Sequence, residues 1–321
     1  MNGADLQSIW LTLINPLFRL LLAMCIGLLI ANLIEGLHWT RPLARLSAPL
    51  IRMARLGDIA GASFSLAFFS PSASNALLAE SHTNGEIGRK ELILANLFNS
   101  LPAYMVHLPT MLFLLWPVLG TPSLIYTGLT LIAAMLRTLF TAVLGHWILP
   151  PTTGKNCVLC RRPQPGSGFK HILQTAWKRL LRRIPRLFLF TIPVYILMFF
   201  LQSHGFFQDM QNWLSTAIPW MDIIKPELFG IVLLSLAAEI GASLSAAGAA
   251  LHMGTLAPDE VILALLIGNI LSTPMRTIRH QFPAYAGYYS PGLALQLILI
   301  NQSLRAASMI GVTWIYWNFI A

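Results

Sequence analysis

Charge is scarce in this chain. Only 10% of its 321 residues are Asp, Glu, Lys or Arg, where a soluble domain carries about 25%, and that deficit excludes an ordinary soluble globule. Cysteine is scarcer still: Cys25, Cys157 and Cys160 are too few for a disulfide framework. Cys25 lies in an apolar run and reads as packing. The Cys157/Cys160 pair offers two of the four ligands of a structural zinc site, with only His146 and His171 near in sequence, so a plain loop is favoured over a metal or redox site. Also absent are the GxxxxGK[ST] phosphate loop, HExxH, GxSxG and the DxDxDG calcium loop. A nucleotide-driven pump is thereby excluded. No nucleophile stands beside a base, so no enzyme, resident metal or cofactor is expected.

What is present is apolar. Hydrophobic residues make up 56% of the chain, and the mean hydropathy is +0.66. The length is therefore best divided into membrane spans of about 20 residues. The formal net charge of +9 does not point to nucleic acid, because the basic residues cluster at span ends as the positive-inside rule requires. The first apolar run, 10–34, follows Asp5, lacks a basic leader and has no small-residue cleavage site, so it reads as a retained helix carrying Arg19.

Residues 41–56 set four Arg among Leu and Ile, which suits a helix lying on the membrane surface. The stretch from Asp58 to Glu80 is rich in Gly, Ala and Ser with Pro71 at its middle, and predicts a broken or re-entrant segment. Spans follow near 91–118 and 122–149. A linker at 150–186 is Pro/Gly-rich and then densely basic, which assigns it to the cytoplasm. Beyond it come a span at 187–204, an amphipathic piece at 206–221, an apolar stretch at 227–252, a segment at 261–284 and a last span at 291–317. The division is thus a first membrane repeat (1–149), the linker (150–186) and a second repeat (187–321).

The repeat rests on recurring motifs. Asp58-Ile-Ala-Gly-Ala-Ser63-Phe-Ser65 is echoed by Glu239-Ile-Gly-Ala-Ser243-Leu-Ser245, Asn96 to Pro102 by Asn269 to Pro274, and the mid-span Arg137 by Arg305. The fold expected is an all-α polytopic membrane protein of two repeats, each with about three spanning helices plus a broken or re-entrant segment. The piece at 206–221 has Asp209 and no Lys or Arg, unlike its counterpart at 41–56. Equivalent elements on opposite sides favour an inverted repeat with both termini outside. A full crossing by 227–252 would instead give four spans per half and a parallel repeat.

Polar and charged groups at membrane depth are costly and mark functional positions. Asp58 and Glu239 are candidates for coupling to a proton or cation, with helix capping or an ion pair to Arg as the plainer alternative. Ser63 and Ser243 either allow close helix packing or meet a ligand where the helix breaks. Ser74 and Asn75 offer a hydroxyl and an amide suited to a neutral polar ligand, or a cap and turn. Asn96 and Asn269 precede prolines that free backbone carbonyls, and either repair the break or line a site. Arg276, Arg279 and His280 share one helical face, and His107 falls opposite Arg279 in the repeat. Such a face holds a carboxylate or phosphate, or anchors the chain at the cytoplasmic interface. Arg137 and Arg305 pair with Asp58 and Glu239 or contact a substrate.

The run from Leu265 to Pro283, with Asn269, Pro274, Arg276, Arg279 and His280, resembles bacterial and archaeal membrane proteins that carry the nucleoside recognition, or Gate, domain. The duplicated architecture extends that resemblance over nearly the whole chain. Related domains occur in the membrane part of the ferrous iron transporter B and in concentrative nucleoside transporters. The resemblance implies Gate-type repeats and a multi-pass inner-membrane protein that moves a small solute. It does not fix the solute, and the chain lacks the GTPase domain that GTP-driven iron uptake needs.

The leading reading is a permease or secondary transporter for a small polar solute, nucleoside-like or anionic, with its site between the repeats. A divalent-cation transporter, which needs Asp58, Glu239 and His252 to converge, is the runner-up. A scaffold or regulator using the basic linker is the competing class. Expected partners are the solute and membrane lipids, without nucleic acid; self-association into a homo-oligomer stays open.

Overall fold

The computed structural model describes residues 48–150, 169–204, 225–237, 240–277 and 281–319, together with part of 10–33. All regular structure among these residues is helical. A π-helical turn, Trp10–Ile14, opens the run where the sequence predicts the first span.

Helix α1 (Ala48–Met53) leads to the predicted broken segment, which is a pair of helices packed on each other, α2 (Asp58–Ala67) and α3 (Pro71–Thr83). The break falls where the chemistry requires it. Ser70 is extended, its Oγ accepts the Ala73 N–H at 3.2 Å, and Pro71 opens α3, where a missing N–H costs nothing. Helix α4 (Arg89–Phe98) ends at Asn99, and α5 (Ser100–Leu119) continues from it. Gly120 alone then separates α5 from α6 (Thr121–Ile148). Its φ of 63° and ψ of −135° belong to glycine, and the reversal it allows lays α6 back along α5.

Beyond the linker, one helix, α7 (Phe169–Ser203), carries both the basic residues before 186 and the apolar residues after it. The stretch 227–252 is not one straight crossing. It contains α8 (Pro226–Ala237) and α9 (Ile240–Met253), which pack against each other. Helix α10 (Pro258–Leu271) follows, and Glu260 reaches back to the Ala257 N–H at 2.8 Å while pairing with Lys225 at 2.8 Å. Short helices α11 (Thr273–Arg276) and α12 (Phe282–Ala286) precede the long α13 (Pro291–Phe319).

Among the described residues, three helical runs are long and apolar enough to cross a membrane: Arg89–Leu119, Thr121–Ile148 and Pro291–Phe319. At 28 residues, α6 is about 42 Å long and exceeds a hydrocarbon core of about 30 Å. Large apolar side chains face outward along these helices, with Trp147 77% exposed near the end of α6 and Trp116 46% exposed near its turn with α5. An outward apolar surface bounded by tryptophan is the surface of a membrane protein.

The buried core forms two clusters, and each takes residues from both sides of the linker. One joins Ile51, Phe64, Leu92 and Phe98 to Leu297 and Tyr289, with the Phe64 and Phe98 rings 4.4 Å apart. The other joins Leu115 and Val118 of α5 to Ala246 and Ala250 of α9 and Leu266 of α10. Small residues allow this contact: a Cβ on Gly248 would stand 2.5 Å from Val118 Cγ1.

Candidate functional site: a cationic cavity between the halves

Three membrane helices each turn one stripe of side chains toward a common space. On α5 the stripe is Ser100, Tyr104, His107 and Met111; on α6 it is Tyr126, Thr130, Ala134 and Arg137; on α13 it is Ile298, Asn301, Gln302 and Arg305. Spacings of three and four residues put each set on one face of its helix. With α3, α4, α9 and α10 they enclose a cavity of about 640 Å³, well within the range of metabolite sites.

One part of the lining is neutral and hydrogen-bonded across elements. Asn99 donates through Nδ2 to Ser63 Oγ and to Ser74 Oγ, both at 2.8 Å, and the two hydroxyls lie 2.8 Å apart. Asn96 donates to Asn75 Oδ1 at 3.0 Å and to the Tyr285 hydroxyl at 3.1 Å, tying α4 to α3 and to α12. The Tyr289 hydroxyl donates to the Asn75 carbonyl at 3.1 Å. Tyr289 sits in the turn before α13, and burial raises its phenol above the usual range, so it stays a neutral donor.

The other part is cationic. Arg137 donates from Nε to Ser100 Oγ at 3.0 Å. Arg276 donates from Nη2 to the Asn269 carbonyl at 2.7 Å and to Asn269 Oδ1 at 2.8 Å, and Arg305 Nη2 reaches the same Oδ1 at 2.9 Å. Asn269 in turn donates from Nδ2 to the Tyr126 hydroxyl at 2.8 Å. Among the described residues these three guanidinium groups meet only neutral oxygens, and no Asp or Glu lines the cavity. Three buried polar atoms in this lining have no partner: Arg276 Nε, Asn99 Oδ1 and Gln302 Oε1.

Of the residues singled out in the sequence, Ser74, Asn75, Asn96, His107, Arg137, Ser243, Asn269, Arg276 and Arg305 line this cavity. Ser63 lies behind Ser74, fully buried and bonded to it. Asp58 does not join them: it stands exposed at the start of α2, outside the lining. His252 is likewise exposed and outside. Arg137 bonds Ser100 and Arg305 bonds Asn269, both on the adjoining helix breaks, and neither pairs with Asp58; the expected pairing with Glu239 lies outside the described residues. Glu239, Arg279 and His280 fall outside the described residues, as do Cys157, Cys160 and the piece at 206–221.

Tyrosines are what the sequence reading missed. Tyr126 and Tyr285 each bond the Asn that precedes a helix break on the other side of the linker, Asn269 and Asn96 respectively, and Tyr104 bonds Thr130 at 2.7 Å. Their signal was periodic: Tyr126, Thr130 and Arg137 occupy one stripe of an otherwise apolar helix.

No family model matches the chain, and no solved structure does. Proteins of Methanocaldococcus jannaschii, described only as uncharacterized, are similar along most of the length. One is 24% identical, with 86% of this chain and 85% of its own covered. A second is 26% identical, with 87% and 88% covered, and a third is 23% identical, with 90% and 93% covered. The similarity thus takes in both halves.

Proposed function

We propose that this chain is a multi-pass permease of the cell inner membrane, carrying a small polar solute through the cavity between its halves. One observation carries the reading. A sizeable space lined by arginines, amides and hydroxyls from both halves lies among helices whose outer faces are apolar. Such groups are expensive at membrane depth, and a solute pathway is the use that justifies them.

The halves are further read as copies of one Gate-type unit with inverted membrane topology. In each, a packed pair of short helices (α2–α3, α8–α9) leads through a left-handed glycine turn (Gly85, Gly254) to a helix that ends at a polar break. A long span with one inward Arg follows. Ser74 precedes Gly85 by the same number of residues as Ser243 precedes Gly254, and both line the cavity. This register differs from the one the Asp58 and Glu239 motifs suggest, because it sets Ser70, not Asp58, against Glu239. Membership of the nucleoside recognition group belongs to the same proposal and rests on Leu265 to Pro283.

Flux into proteoliposomes tests the proposal. Labelled uridine, uridine monophosphate and glycerol 3-phosphate are offered to vesicles holding the purified protein. Saturable entry of one of them above protein-free vesicles is expected. Entry of none, with protein that still melts cooperatively, favours the scaffold reading.

A further inference from the structure

We propose that the cavity binds an organic anion: a carboxylate or phosphate group held by Arg276 and Arg305 with Arg137, on a body that also carries hydroxyl or N–H donors. The inference rests on the reading of the cavity as a solute site and adds the chemical class of the solute.

Among the described residues the cavity's guanidinium groups have no counter-charge. Arg276 and Arg305 converge on one amide oxygen, Asn269 Oδ1, at 2.8 and 2.9 Å, so their charges stand side by side. Arg276 and Arg137 both act electrostatically on Arg305, which makes the three a cluster. An amide oxygen carries a fraction of a charge and satisfies one N–H direction of each fork, leaving Arg276 Nε buried without a partner. A planar guanidinium is completed by two oxygens of one carboxylate or phosphate, through paired charge-assisted bonds. Asn269 thus holds the place that an anionic oxygen would take.

The rest of the lining defines the body of the ligand. Asn99 and Gln302 belong to the lining, and side-chain amides there favour a ligand that brings hydroxyl or N–H groups to their acceptor oxygens. Ser74, Asn96 and Tyr285 continue that neutral surface. A bare halide leaves those acceptors unfilled, and a neutral nucleoside leaves the cations unfilled.

Thermal unfolding of the full chain in detergent tests this, using inorganic phosphate, glycerol 3-phosphate, uridine monophosphate, short-chain phosphatidate, uridine, and sodium chloride at matched ionic strength. A ligand that binds only the folded state raises Tm by mass action. At saturation the two organic phosphates are expected to raise Tm by about 3 °C or more, inorganic phosphate less, and uridine and chloride not at all. Asn269→Asp is the decisive variant. It builds a carboxylate into the place of the anion, so its own Tm is expected to rise while the phosphate-dependent rise disappears. A rise with uridine equal to that with its monophosphate overturns the proposal while leaving the permease reading standing. An undiminished anion effect in Asn269→Asp, or no anion effect in the natural chain, also overturns it. Stabilisation by short-chain phosphatidate alone assigns the phosphate to a lipid headgroup; it keeps the anion site and removes the soluble-solute reading. Anion binding without flux into vesicles does the same to the permease.

Discussion

Asn269 ties three cavity side chains together, accepting from two arginines and donating to Tyr126. Two cations that share one amide oxygen repel by a few kcal/mol at an effective dielectric of about 20, and among the described residues no carboxylate lines the cavity to offset this. Asn269→Ala is therefore expected to lower stability by about 3 kcal/mol or more, since it strands several buried polar groups at once. Tyr126→Phe removes one hydrogen bond and is expected to cost about 1 kcal/mol. Arg305→Gln should act in the opposite sense, raising Tm because it deletes a poorly compensated cation, while abolishing stabilisation by organic phosphates. Melting curves of the three variants check the order, and a destabilised Arg305→Gln would sink the idea that the cluster is in deficit. Arg137, Arg305, Asn96 and Asn269 were legible in the sequence because a polar group in an apolar run is conspicuous. The tyrosines were not, because an amphipathic ring reads as ordinary core until the bond at its tip is known.

At the scale of elements, the breaks matter more than the helices. Ser70 with Pro71, Asn99, and Ser272 with Pro274 end one helix and begin another, and the cavity residues gather on those joints and on the spans beside them. Pro and Gly punctuation makes such breaks readable from sequence. The Asp58 and Glu239 motifs are a short match of a common kind: Gly-Ala-Ser runs recur wherever membrane helices pack closely, so such a match carries little register information. Glycine turns at Gly85 and Gly254 carry more, because a positive φ is a local demand that few residues meet. Helix contact yields its own test. Gly248→Val is expected to push α9 away from Val118 on α5 and to cost about 1–3 kcal/mol. Gly292→Ala, where a Cβ meets nothing within 4 Å, is expected to leave stability within about 0.5 kcal/mol. Paired melting curves compare them; equal loss in both would refute the tight seam between α5 and α9.

For the whole molecule, the halves are interlocked. Both core clusters cross the linker, and Arg89 of α4 bonds Gln296 of α13 through Nε at 3.1 Å. The membrane character was plain from composition, whereas the cavity depends on contacts between residues far apart in the chain, such as Asn96 with Tyr285, which periodicity within one helix does not encode. The central claim is that this cavity is a water-accessible pathway through the membrane. Site-directed thiol labelling tests it without knowledge of the solute. With Cys25, Cys157 and Cys160 replaced by Ala, single cysteines are placed by Asn75→Cys or Ser243→Cys and treated with a membrane-impermeant maleimide in right-side-out and in inverted vesicles. The account predicts labelling of both positions, from each side of the membrane in turn, and protection by the bound solute. Cysteines that stay unlabelled from both sides, in protein that labels fully once unfolded, would contradict it.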